Sequence, residues 1–138
     1  MDEEDELCTQ FRNATKLRSK NDYYDPTTFQ LYLGDDGGVF SSQQIYKNTF
    51  IGEIYGVPEY AHIITHEEYI IISDGFVLDT SIIPLPRSIL TCLRCEWESE
   101  KTGNCIIRME INEETHESRF YAWTTERIDE GEEIVYFK

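Results

Sequence analysis

Apolar positions recur with two different periods along this chain. From Met1 to about Asp25 the sequence is polar, opening acidic and turning basic through Arg12, Lys16, Arg18 and Lys20, with Leu7, Phe11, Ala14 and Leu17 at three- and four-residue steps. That period predicts a short amphipathic helix, packed on the domain or disordered when alone. Pro26 ends the segment. Beyond it, β-branched and aromatic residues gather in short runs, which predict strands at about Thr28 to Leu33, Thr49 to Tyr55, Tyr69 to Ser73, Phe76 to Asp79, Asn104 to Ile111, Arg119 to Trp123 and Glu133 to Phe137. The breaks carry turn chemistry: Gly34-Asp35-Asp36-Gly37-Gly38 permits positive backbone angles, and Ser73-Asp74-Gly75 suits a hairpin. Pro84 and Pro86 forbid a central strand, and Ser88 to Leu93 has room for one or two helical turns. The expectation is a mainly β domain with minor α over residues 26–138, preceded by segment 1–25, without internal repeats.

With 138 residues, 40% hydrophobic and 13% aromatic, the chain has apolar material for one core and too little length for two ordinary domains. No run approaches the roughly 18 apolar residues that span a bilayer, and Asp2 to Glu6 is the opposite in charge of a signal peptide's start. These features are read as a soluble, intracellular chain with no membrane partner. A formal charge of −15 repels a phosphate backbone, so direct nucleic-acid binding is not expected; basic peptides or proteins are the better electrostatic match, beside the plain reading that surface carboxylates confer solubility. Cys92-Leu93-Arg94-Cys95 is one CxxC without a second pair, leaving Cys8 and Cys105 apart, so buried thiols are expected in preference to zinc. Asn13-Ala14-Thr15 is a sequon with no secretory route to use it. His62, His66 and His116 lack a nucleophile pattern and are read as surface residues.

Three blocks stand in a telling order. The first is Gly37-Gly38-Val39-Phe40, then Ile45, then Lys47 to Gly56 with Thr49-Phe50-Ile51-Gly52-Glu53-Ile54-Tyr55-Gly56. The second is Phe76-Val77-Leu78-Asp79-Thr80, and the third runs from Arg119 to Ile134 through Ala122, Arg127, Ile128 and Gly131-Glu132-Glu133. In order and spacing they resemble the SET domain of protein-lysine methyltransferases, from about Phe29 to the C-terminus. The resemblance implies a fold of short strands in several small sheets that binds S-adenosylmethionine on one side and a substrate lysine on the other, for in-line methyl transfer.

The resemblance also implies site positions. Aligned on Gly38, the glycine turn reads Asp36-Gly37-Gly38, with Asp where the family has its first glycine. The Asn and His that hold the family's cofactor correspond to Arg94 and Cys95, counted back from Asn104-Cys105 and forward from Asp79. Arginine accepts no hydrogen bond and cysteine only weakly. Tyr136 matches the first tyrosine of the closing motif and would be the catalytic residue of an active enzyme, while Lys138 stands at the second. An arginine in the Asn-His segment is similar to the divergent Set-three and mixed-lineage-leukaemia-five type, associated with histone-deacetylase complexes; PR domains, which also vary this segment, are the other comparison.

Two functions follow from the resemblance. One is a binding or scaffolding module in a chromatin regulator, in the nucleus by family likeness, with lost or weak methyl transfer. Its partner would be a protein complex or a basic peptide such as a histone tail, taken up by a strand edge near Tyr55 or Phe76. The other is an active S-adenosylmethionine-dependent lysine methyltransferase with a rebuilt cofactor site. A purely structural role in a longer chain is a third. Trp97 and Trp123 are candidates for a methyl-lysine cage or for core packing.

Overall fold

A computed structural model describes residues 20–66 and 68–137. The predicted amphipathic helix, Cys8, the sequon and Lys138 lie outside these residues. The chain joins the fold before Pro26: a 3-10 turn, Lys20–Asp22, leads into β1 (Tyr23–Tyr24). There follow β2 (Leu31–Leu33), β3 (Val39–Ser41), β4 (Phe50–Ile54), β5 (Val57–Tyr60), β6 (Tyr69–Ser73), β7 (Phe76–Asp79), β8 (Arg87–Ser88) and β9 (Arg94–Cys95). A single-turn α1 (Glu96–Ser99), then β10 (Cys105–Ile111), β11 (Ser118–Thr124) and β12 (Val135–Tyr136), complete the described chain. The architecture is mainly β, in four small sheets.

The largest sheet has the order β4-β11-β10-β12-β9; a second has β5-β7-β6, and β2-β3 and β1-β8 form two-stranded pairs. Alternation sets the core face of the large sheet: Phe120, Ala122 and Thr124 of β11 are buried, while Tyr121 and Trp123 between them are half-buried on the other face. In β6 and β7 both parities are buried (Ile70 and Ile71, Val77 and Leu78), so the middle of this hairpin is covered on both faces and its strands read as apolar runs, while β5 at the edge is mostly exposed. The core closes with Val39, Ile45, Leu90, Leu93, Ile128 and Ile134. A Cβ on Gly52 would lie 2.7 Å from Leu90 Cδ1, so β4 rests directly on the 3-10 turn Ile89–Cys92, the predicted helical turn before Leu93.

The strand predicted at Thr28 to Leu33 begins only at Leu31, as β2, because Asp25 takes over the backbone ahead of it. Its carboxylate accepts from the Thr27 N–H at 2.8 Å and the Leu31 N–H at 2.8 Å, and Gln30 adopts a positive φ of 54°. The predicted turn 73–75 joins β6 and β7 as an antiparallel hairpin, with Gly75 at φ 78°.

Candidate functional site

The site begins with two short pairings that bring distant residues together. Residues 132–134 run beside β3, with the Ser41 N–H donating to Glu132 O at 3.3 Å and the Ile134 N–H to Val39 O at 2.8 Å, and Phe40 bridged to Glu133. Next along the chain, β12 pairs in parallel with β9, Val135 opposite Arg94 and Tyr136 opposite Cys95. The Asn104 side chain fastens this junction, donating to Glu133 O and accepting from the Val135 N–H, both at 2.9 Å.

Arg94 therefore faces Glu133 inside the protein. Its Nε and Nη2 each donate to the Glu133 carboxylate at 2.9 Å, a bidentate pair whose side chains are 7% and 0% exposed. Nη2 also donates to Asp36 Oδ2 at 3.0 Å. Asp36 sits in the turn between β2 and β3, where its other oxygen accepts from the Gly38 N–H at 3.2 Å and Gly37 adopts φ 91°. Partial burial opposes ionisation of Asp36, but the Gly38 N–H and the Arg94 charge outweigh it and hold the carboxyl below its ordinary range. Burial likewise works against the Arg94 charge, and Glu133 and then Asp36 more than restore it.

Gly38 has a steric reason to be glycine. A Cβ there would run into Glu133 Oε2, with Glu133 Cδ at 2.8 Å and Arg94 Nε at 3.1 Å. The ion pair thus lies flush against the backbone of the glycine turn. Lys101 covers it from outside, Nζ 3.4 Å from Glu133 Oε1 and 5.3 Å from the centre of the Phe40 ring, which stacks on Tyr32. Two carboxylates and two cations neutralise one another.

Of the sequence-predicted positions, Asp36, Gly37, Gly38 and Arg94 form this cluster. Cys95 lies one residue on, buried at the start of α1. Burial first, and then the nearby Glu98 carboxylate, push its thiol pKa far up. Tyr136 is buried and points elsewhere: its hydroxyl accepts from the Ile71 N–H at 3.1 Å, tying the large sheet to β6. Glu133, the residue that completes the cluster, reads in sequence only as part of a turn motif. Its signal was a carboxylate in an apolar closing run, which calls for a buried cation. Burial pushes the Cys105 thiol up to about 12. Trp123 packs edge-on against Phe50 at 5.2 Å and has the Arg108 guanidinium 5.6 Å from its ring centre, and Trp97 packs against the core.

A second polar cluster corrects the reading of His66 as a surface residue. His66 is half-buried, with Nε2 3.2 Å from both Asp79 Oδ1 and Ser81 Oγ, while Ser81 Oγ donates to Asp79 at 2.7 Å. The grouping resembles a hydrolytic triad in composition only. Nδ1 accepts from the Glu68 N–H at 3.1 Å, so the proton of the neutral ring is on Nε2, which cannot take another from Ser81. Beside it Arg87, bonded to Ile83 O at 2.6 Å, pairs with Glu68 at 3.0 Å. The cluster braces the segment before β6 against the β7–β8 connection.

A surface groove of about 600 Å³ lies between the β4–β5 corner and the start of β11, with Glu53, Tyr55, Val57, Glu117, Arg119 and Phe120 among its lining. No protein-family model and no curated protein matches the chain. Among solved structures it is similar to a Plasmodium falciparum protein described as a "putative histone methyltransferase", at 17% identity and a TM-score of 0.49, over 78% of this chain and 89% of the other.

Proposed function

We propose that this chain is a SET-like domain that works as a protein-interaction or scaffolding module in chromatin regulation and has lost efficient methyl transfer. The family reading is supported by the three sequence blocks and their order. The loss of chemistry is supported by one observation above all: the Arg94 guanidinium, at a position that the resemblance assigns to cofactor binding, is clamped by Asp36 and Glu133 against Gly38.

S-adenosylmethionine carries a sulfonium and an ammonium, which need hydrogen-bond acceptors and negative potential around them, and a carboxylate, from which Arg94 is held back by its bonds to Glu133 and Asp36. Arg94 offers only donors and a positive charge, and the two carboxylates that would attract the cofactor are already engaged by Arg94 and Lys101. The residues do not fit the cofactor. Tyr136, the position matching a channel tyrosine, spends its hydroxyl on the Ile71 backbone. The partner in this reading is a protein complex or a basic peptide such as a histone tail, in keeping with the −15 charge.

The test is a transfer assay. The chain is incubated with tritium-labelled S-adenosylmethionine and lysine-containing histone-tail peptides; no label above background is expected. Label on a peptide lysine would establish the competing reading, an active lysine methyltransferase with a rebuilt site.

A further inference from the structure

The groove at the β4–β5 corner has a composition that selects a partner. Phe120 of β11 stands opposite Ile54 of β4 on one side and Met109 of β10 on the other, and Ser118 stands opposite Ile111. Directly opposed residues share a face of the sheet. The buried face that carries Ile54 and Phe120 therefore runs on past the end of the core into Met109 and Ile111, which are 55% and 58% exposed. Tyr55 and Val57, 49% and 40% exposed, line the groove itself, and so does Ser118, the residue opposite Ile111.

The rim is acidic. Glu53 and Glu117 line the groove, and Glu113 and Glu114 are exposed in the turn between β10 and β11. Arg119 is the cation at the rim, and its 3.9 Å contact with Glu53, on a side chain 56% exposed, is a loose pair that an incoming cation can replace.

From this combination we infer that the groove docks a basic segment of a partner protein, with apolar side chains on the Tyr55, Val57 and Ile111 surface and lysines or arginines against Glu113, Glu114 and Glu117. The inference rests on the reading of the chain as an interaction module and names where the partner binds. Charge selects this occupant: a second copy, also at −15, and a nucleic acid are both repelled.

Strand addition at the neighbouring edge is not the mode. The Ala61 N–H donates to Gly75 O, and Val57, Glu59 and Ala61 share that parity, so the backbones of Pro58 and Tyr60 face away from β7. Proline has no N–H to give there, which blunts the edge of β5. Side chains must hold the partner.

The experiment is fluorescence anisotropy on the whole chain with two labelled 14-residue probes, one alternating lysine with leucine, the other lysine with serine. The lysine–leucine probe is expected to bind about tenfold more tightly. Ile111→Ser and Val57→Ser, both at exposed positions, should each weaken it about fivefold and leave the lysine–serine probe nearly unchanged. Glu113→Gln/Glu114→Gln/Glu117→Gln should weaken both probes about tenfold, and Glu126→Gln/Asp129→Asn/Glu130→Gln, the same loss of charge elsewhere, less than about twofold.

Equal affinity for the two probes, or equal effects of the two triple variants, would overturn the inference in favour of diffuse attraction. So would concentration-dependent dimerisation abolished by Ile111→Ser, which would make a second copy the occupant. S-adenosylmethionine binding, measured on the same sample, separates the two levels. Without cofactor binding, failure of the probes defeats the groove alone; with cofactor binding, the reading of Arg94 fails whatever the probes do.

Discussion

Replacing Arg94 by methionine removes the charge and keeps much of the packing. It leaves the Glu133 carboxylate, 0% exposed, without its two hydrogen bonds of 2.9 Å. Deleting one member of a buried ion pair costs roughly 3–5 kcal/mol, mostly the penalty of the stranded charge. Lys101 Nζ, already 3.4 Å from Glu133 Oε1, can move in, and Asp36, whose side chain is 54% exposed, rehydrates at small cost. The expected loss is therefore at the low end, about 3 kcal/mol, equivalent to a fall in melting temperature of about 10 °C for a domain of this length. The double variant Arg94→Met/Glu133→Leu should regain all but about 1 kcal/mol, because a well-packed apolar pair can replace a buried ionic one. Urea denaturation followed by circular dichroism measures both. A loss below about 1 kcal/mol for Arg94→Met, or a double variant no more stable than the single, would refute the assignment of Arg94 as the buried partner of Glu133.

Gly38→Ala should cost about 1–3 kcal/mol in the same assay, because the new methyl collides with the Glu133 carboxylate. Tyr136→Phe leaves the buried Ile71 N–H without its acceptor and should cost about 1–3 kcal/mol. The carboxyls of Asp36 and Asp79 are both held below the ordinary 3.8: burial opposes, and the Gly38 N–H and the Arg94 charge prevail at Asp36, the Ser81 hydroxyl and N–H at Asp79. Their contribution is thus full above the unfolded value and lost as pH falls through the lower folded one. Asp36→Asn and Asp79→Asn should therefore destabilise the protein at pH 6, and the difference from the parent chain should vanish towards pH 2. Cys105, its thiol pushed up to about 12 by burial, should resist iodoacetamide at pH 8 in the folded protein and react in urea, as read by peptide mass mapping.

Strands with strong local pattern were legible in the sequence. Tyr69–Ser73 and Phe76–Asp79 were predicted to the residue, flanking a turn whose glycine has the required positive φ. The elements that escaped have no local signal. β8 and β9 are two residues each and exist through pairings with β1 and β12. β5 was hidden by Pro58, which its outward-facing edge tolerates, and β3 read as the tail of a glycine turn. The site was half legible for the same reason. Asp36 and Arg94 stood out as departures from a family motif, beside the matching Gly38, but a departure says only what is missing. Glu133, Lys101 and the close fit against Gly38 supply what replaced it, and they meet only when β9 pairs with β12 and residues 132–134 run beside β3. His66 shows the opposite failure: nothing in the sequence around it indicates that Asp79 and Ser81 will close on its ring.

In the proposed reading, Arg94 closes the place that the sequence resemblance assigns to a methyl donor. Isothermal titration of the folded chain with S-adenosylmethionine tests it directly. No binding heat is expected up to millimolar cofactor; saturable binding in the micromolar range would show the place to be open.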